Sequence, residues 1–160
     1  MARFSRSGCT ARTTLHLVGP QSWTAVPAAL VYDSADPFAV RVRFGDGGTD
    51  DADRSPYDGP DDDGGVEWLL SRDLLRSGLT GPIGDGDVRL WPARGGLDVV
   101  FLQLRAPSGE ALFELSGAVI GEFLRETEML VPLGSESEAL SVDDDLLALL
   151  RGGTDNPTAL

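Results

Sequence analysis

The sequence predicts an α+β domain built on antiparallel β-sheet. Three observations carry this reading. Short runs of alternating apolar and polar residues recur on both sides of one brief helical stretch. Several of these runs are joined by short connections rich in Gly, Asp and Pro, as antiparallel neighbours require. The remaining helical patterning is confined to the C-terminal third, so strands and helices are grouped rather than strictly alternating.

Taken in order, residues 1–12 are small and polar and predict a flexible arm. Leu15 and Leu17 alternate with Thr14 and His16, which gives a strand over 13–18. A second strand ends near Tyr32, and Asp36-Pro37 turns the chain. Phe38, Val40, Val42 and Phe44 face one way and Arg41 and Arg43 the other, the cleanest strand pattern in the chain. Residues 45–65 carry eight aspartates and almost no core material, and predict a mobile, solvated loop inserted in the domain. The strand at 66–70 leads into a short helix, with Ser71 as N-cap, Asp73 in its first turn and Gly78 as its left-handed stop. Strands follow in "DVRLWPA", "LDVVFLQLR" and "EALFEL". The apolar run Val99–Leu102 suggests burial on both faces. From Ser116 the period changes: Ile120, Phe123, Leu124, Thr127, Leu130 and Val131 share one helical face, closed by Pro132. In "SVDDDLLALLRGG", Ser141 and Asp144 form a capping box for a last helix, and residues 152–160 read as a disordered tail. The domain proper is therefore expected over 13–151.

A chain of 160 residues can bury a core without covalent staples. The net charge is −13 and every basic residue is arginine. Such a balance opposes binding to nucleic-acid phosphates and to anionic membranes. The single cysteine, Cys9, precludes an internal disulfide, and no apolar run is long enough for a signal peptide or a membrane span. The chain is expected to be cytoplasmic.

The run "SGLTGPIGDGDVRLWP" (77–92) poses the question of chemistry. A phosphate cradle needs glycines after a strand and before a helix; here the helix comes first, and no lysine follows. Asp85 and Asp87 are followed by Arg89 where a calcium loop needs a third oxygen. The spacing Asp51, Asp53, Ser55 begins a calcium loop, but Pro56 replaces the needed glycine and Asp62 the closing Glu. The run reads as a corner whose glycines take positive φ. His16 and Cys9 could be imagined as a pair, with no group visible to orient them. Glu67, Asp73, Asp87 and Glu110 lie near structured elements, yet nothing selects two as acid and base. No catalytic residue, metal or cofactor is expected.

What remains are surfaces. Trp23, Trp68 and Trp91 suit a core or an interface. Val142, Leu146, Leu149 and Leu150 form an apolar stripe on a helix too short to stand alone, which must dock on its own domain or on a neighbour. Trp68, Trp91, Val142, Leu146, Leu149 and Leu150 are the candidate contacts.

Several blocks resemble one family. "ALVYDSADPFAV" (29–40), "VEWLLSRDLLRSGLTGPIGDGDVRLWPA" (66–93), "LRAPSGEALFEL" and "FLRETEMLVPLGSESE" are similar, in the same order, to blocks of the SsgA-like sporulation and cell division proteins of actinobacteria. The resemblance implies a whirly-like fold, a homotrimer, and a non-enzymatic role in septum-site selection, septum formation or cell-wall remodelling at the division septum. It implies contacts with the tubulin-like protein FtsZ or other division and cell-wall synthesis proteins. The aspartate-rich stretch is longer than the family's usual loop. The whirly likeness also raises single-stranded nucleic acid as an alternative ligand, against which the charge argues.

Overall fold

The structure, a computed structural model, describes residues 8–45, 66–84, 86–139 and 149. Among the described residues, seven strands and three helices follow one another as β1 (Gly8–Val18), β2 (Trp23–Asp33), β3 (Ala39–Phe44), β4 (Val66–Ser71), α1 (Arg72–Gly78), β5 (Val88–Pro92), β6 (Val99–Ala106), β7 (Gly109–Ser116), α2 (Gly117–Leu130) and α3 (Glu136–Ala139). The strands form one antiparallel sheet in the order β4-β3-β2-β1-β7-β6-β5.

β1 starts at Gly8 and pairs along its whole length with β2, Gly8 opposite Asp33 and Val18 opposite Trp23. The expected arm over 1–12 is therefore wrong from residue 8 onward. Its inward positions are Cys9 and Ala11, small residues that give little alternation in sequence yet pack against the core beside Leu30. The β2–β3 turn is closed by Asp36 N–H donating to the Asp33 carbonyl at 2.9 Å, and by Ala35 N–H donating to the Asp33 carboxylate at 2.9 Å. The acidic segment expected as a loop lies, from residue 46 to 65, outside the described residues, as does Asp85.

The sheet is strongly curled. β1 meets β7 only through the pairs His16↔Glu114 and Leu17↔Phe113. Phe44 of β3 and Phe113 of β7 are three strand positions apart, roughly 14 Å along a flat sheet. Their rings nevertheless stack with centroids 4.9 Å apart. Curling brings the inward side chains Leu15, Leu30, Val40, Val42, Leu102 and Phe113 into one concave core. α2 lies against β1 and β7 with Ile120, Phe123, Leu124 and Thr127 buried, the face that the helical period predicts. On β6 only Val100, Leu102 and Leu104 are fully buried, so that strand is covered on one face and half-covered on the other.

Ser71 caps α1 as expected, its Oγ accepting from Leu74 N–H at 2.9 Å. Gly78 does not stop the helix through a left-handed turn; Leu79 is the cap, in right-handed geometry. Glycine is needed at 78 because a Cβ there would stand 2.7 Å from the Cβ of buried Leu90. This separates two effects of Gly78→Ala. Helix propensity alone favours Ala by about 1 kcal/mol, whereas overpacking costs about 1–3 kcal/mol. Thermal unfolding is expected to show a lower Tm, and a higher one would mean that α1 and β5 are not in close contact. Farther along, Gly84 and Gly86 do take positive φ, 108° and 126°, so the glycine-rich run is a corner between α1 and β5.

Candidate interaction surface

Arg72 opens α1 and is the largest fully buried side chain among the described residues, 1% exposed. Its guanidinium stands over the Tyr32 ring, 5.3 Å from the centroid. Nη1 donates to the carbonyls of Thr127 (3.2 Å) and Val131 (2.7 Å), at the C-terminal end of α2, where the helix dipole favours a cation. Nη2 donates to Glu136 Oε1 of α3 at 2.6 Å. Tyr32 in turn donates to the Pro37 carbonyl at 3.1 Å. One side chain thus ties α1, α2, α3 and β2 together. A second pair, Arg76–Glu128 at 2.5 Å, also joins α1 to α2.

The Arg72 hydrogen bond holds the Glu136 carboxyl below its ordinary value of 4.5. Its contribution to stability is therefore complete above pH 4.5 and is lost as pH falls through the lower folded value. The Tm gap between the natural protein and Glu136→Gln is expected to be wide at neutral pH and to close in acid. A gap constant with pH would remove the ion pair from the account.

None of the catalytic pairings considered above is assembled. Cys9 and His16 sit seven residues apart on β1, roughly 23 Å by strand rise, and face opposite sides of the sheet. Burial, and then the Glu126 charge, push the Cys9 thiol up, away from the thiolate a nucleophile needs. Glu67 on β4 pairs with Arg43 at 2.8 Å, and Glu110 on β7 with Arg105 at 2.5 Å. Asp73 is exposed on α1, and Asp87 accepts from Arg105 N–H through its backbone carbonyl. Among the described residues no three His, Cys, Asp or Glu side chains gather as a metal site. The second calcium-loop candidate, Asp51 to Asp62, falls outside them. No helix among the described residues is long and apolar enough to cross a membrane.

The predicted contact residues separate. Trp68 sits half-buried on the edge strand β4, opposite Val42 and against the core. Trp91 lies on β5, the other outermost strand, opposite Phe101 and stacked on its ring at 5.7 Å. The sheet thus does not join the two as lateral neighbours. Val142, Leu146 and Leu150 lie outside the described residues; Leu149 is described and is 73% exposed. Trp23, a candidate for the core, is 61% exposed at the start of β2. Leu69 of β4, whose inward neighbours gave no hint of it, is 60% exposed on the outer face.

Trp91 also borders an open cavity of about 700 Å³. Its walls are Leu74 of α1, Ile83 from the glycine-rich corner, Leu90 and Trp91, with Arg89 and Gln103 supplying the polar atoms. The corner is held against β5 by Ile83 and Leu90, which exchange both backbone hydrogen bonds at 2.9 and 3.0 Å. Sequence reasoning identified the corner and Trp91 separately. It missed that the corner folds back onto β5 and makes one wall of a groove.

Comparison with known proteins fits this architecture. The family model described as "Streptomyces sporulation and cell division protein, SsgA" matches residues 26–136. The sporulation-specific cell division protein SsgB of Frankia casuarinae is 40% identical over 146 residues, 90% of this chain and 92% of that protein. SsgB of Streptomyces coelicolor is 39% identical over 145 residues, covering 88% and 96%. The crystal structure of the SsgA-like sporulation-specific cell division protein of Thermobifida fusca superposes with a TM-score of 0.71 at 31% identity, covering 92% of this chain and 99% of that one. The curled seven-stranded sheet, its helices and the sequence blocks that build them agree in a single assignment: this chain belongs to the SsgA family of sporulation and cell division proteins.

Proposed function

We propose that the protein is a non-enzymatic, oligomeric adaptor of sporulation-specific cell division. It acts at the septum, in site selection, septum formation or wall remodelling, through contacts with FtsZ or with other division and wall-synthesis proteins. One observation carries this reading: the similarity to sporulation-specific cell division proteins runs through about 90% of the chain, not through a single motif. The exposed apolar side chains at Trp23, Leu69 and Met129 supply the kind of surface that protein contacts use.

Deletion of the gene is expected to block sporulation septa while hyphae still grow, and a tagged copy is expected to retain FtsZ or wall-synthesis proteins from sporulating hyphae. Normal septation after deletion would overturn the reading.

Single-stranded nucleic acid is the second reading, favoured by the Trp91–Phe101 stack on the outer face near Arg89 and Arg105. The charge of −13 opposes it, and Arg41 and Arg43 both face Glu67. Binding that weakens steeply with added salt would revive it.

A further inference from the structure

The groove beside Trp91 and the leucine stripe at the C-terminal end match in chemistry. The geometry points to residues 141–151 of a second copy as the occupant of this groove, an inference that rests on the oligomeric reading above.

Four observations support it. The groove is open, its volume is in the range of sites that take side-chain-sized ligands, and its walls are mainly apolar. Val142, Leu146, Leu149 and Leu150 recur at i, i+4, i+7 and i+8, the spacing by which a helix anchors in such a groove. Arg89 at the groove has no ion-pair partner among the described residues, although the protein as a whole is strongly acidic. Asp145, three positions after Val142, borders the stripe and supplies the missing carboxylate. Finally, Leu149 remains 73% exposed in a single copy, so its own body does not bury it.

The helix that precedes the segment is tied to the helix that lines the groove. Glu136 is held on Arg72, only two residues before Leu74 in the groove wall. In a closed ring of copies, each can give its segment to one neighbour and receive one from the other, a head-to-tail contact that closes on itself.

Cross-linking the full-length protein tests this. In a Cys9→Ser background, one preparation carries Leu149→Cys and another, with a different tag, carries Pro82→Cys. In the mixture only contact between copies can join the two sites. A cross-linked band bearing both tags is expected, and its yield should fall several-fold when Leu146→Glu is added to the donor or Arg89→Glu to the receptor. Arg89→Glu should be rescued by Asp145→Arg. Cross-links that form only within a single chain carrying both cysteines would overturn the inference, because the segment would then close on its own body. No cross-link in a protein that light scattering shows to be oligomeric would also overturn it while leaving the adaptor reading intact; a monomer would count against both.

Discussion

Arg72→Leu is expected to destabilise the protein by about 3–5 kcal/mol, the cost of breaking a buried ion pair from one side. The magnitude follows from what is left behind. Glu136, 8% exposed, loses the one cation it pairs with among the described residues, and the carbonyls of Thr127 and Val131 lose their shared donor. Leucine restores the volume of the aliphatic stem but none of the hydrogen bonds. The measurement is urea unfolding, read as a fall in the midpoint. The double variant Arg72→Leu/Glu136→Leu should recover part of the loss, since removing both charges removes the stranded carboxylate. A single variant that unfolds at the natural midpoint would show that Arg72 does not join α1 to α2 and α3.

Phe113→Ala is expected to cost a comparable amount, about 3–5 kcal/mol for removing a buried phenyl ring. Its ring is the partner of Phe44 across the concave face, and its backbone is one of only two β7 positions in register with β1. Loss of the ring therefore weakens the point where the two halves of the sheet close on each other. Hydrogen exchange should speed up at Leu17 and Glu114 before it does in the β1–β2 ladder. Phe113→Leu, which keeps most of the volume, should cost less than half as much. If the Ala variant opened both halves equally, the stack would not be the closure.

Much of the architecture was legible because it is written locally. Period two put Val40, Val42 and Phe44 in the core, and the helical period did the same for Ile120, Phe123, Leu124 and Thr127; Phe38, expected on the same face, lies one position before β3 and is 45% exposed. Ser71 announced its helix because a capping hydroxyl is a local signal. The errors share one cause, partners distant in sequence. Cys9 and Ala11 are inward strand residues only because β2 lies alongside. Gly78 is explained by Leu90, twelve positions on, and not by the helix it ends. Glu136 lies in a serine- and glutamate-rich connection that carries no local signal of burial, yet it is the counter-ion of a buried arginine sixty-four residues earlier. No short window could have paired them. The groove is of the same kind: Trp91 was singled out as an aromatic, but its neighbours Leu74 and Ile83 come from a helix and a corner that fold back on it.

The two-residue seam between β1 and β7 bears on how the chain is made. β1 leaves the ribosome first, and β7 follows only about a hundred residues later. At ordinary rates of synthesis that is a delay of roughly 5–20 s. The β1–β4 meander can assemble during the wait, but β1 must keep one flank unpaired until Phe113 and Glu114 arrive. A nascent chain halted in that interval offers an open strand to any neighbour, and polysomes translating this message would bring such neighbours close together.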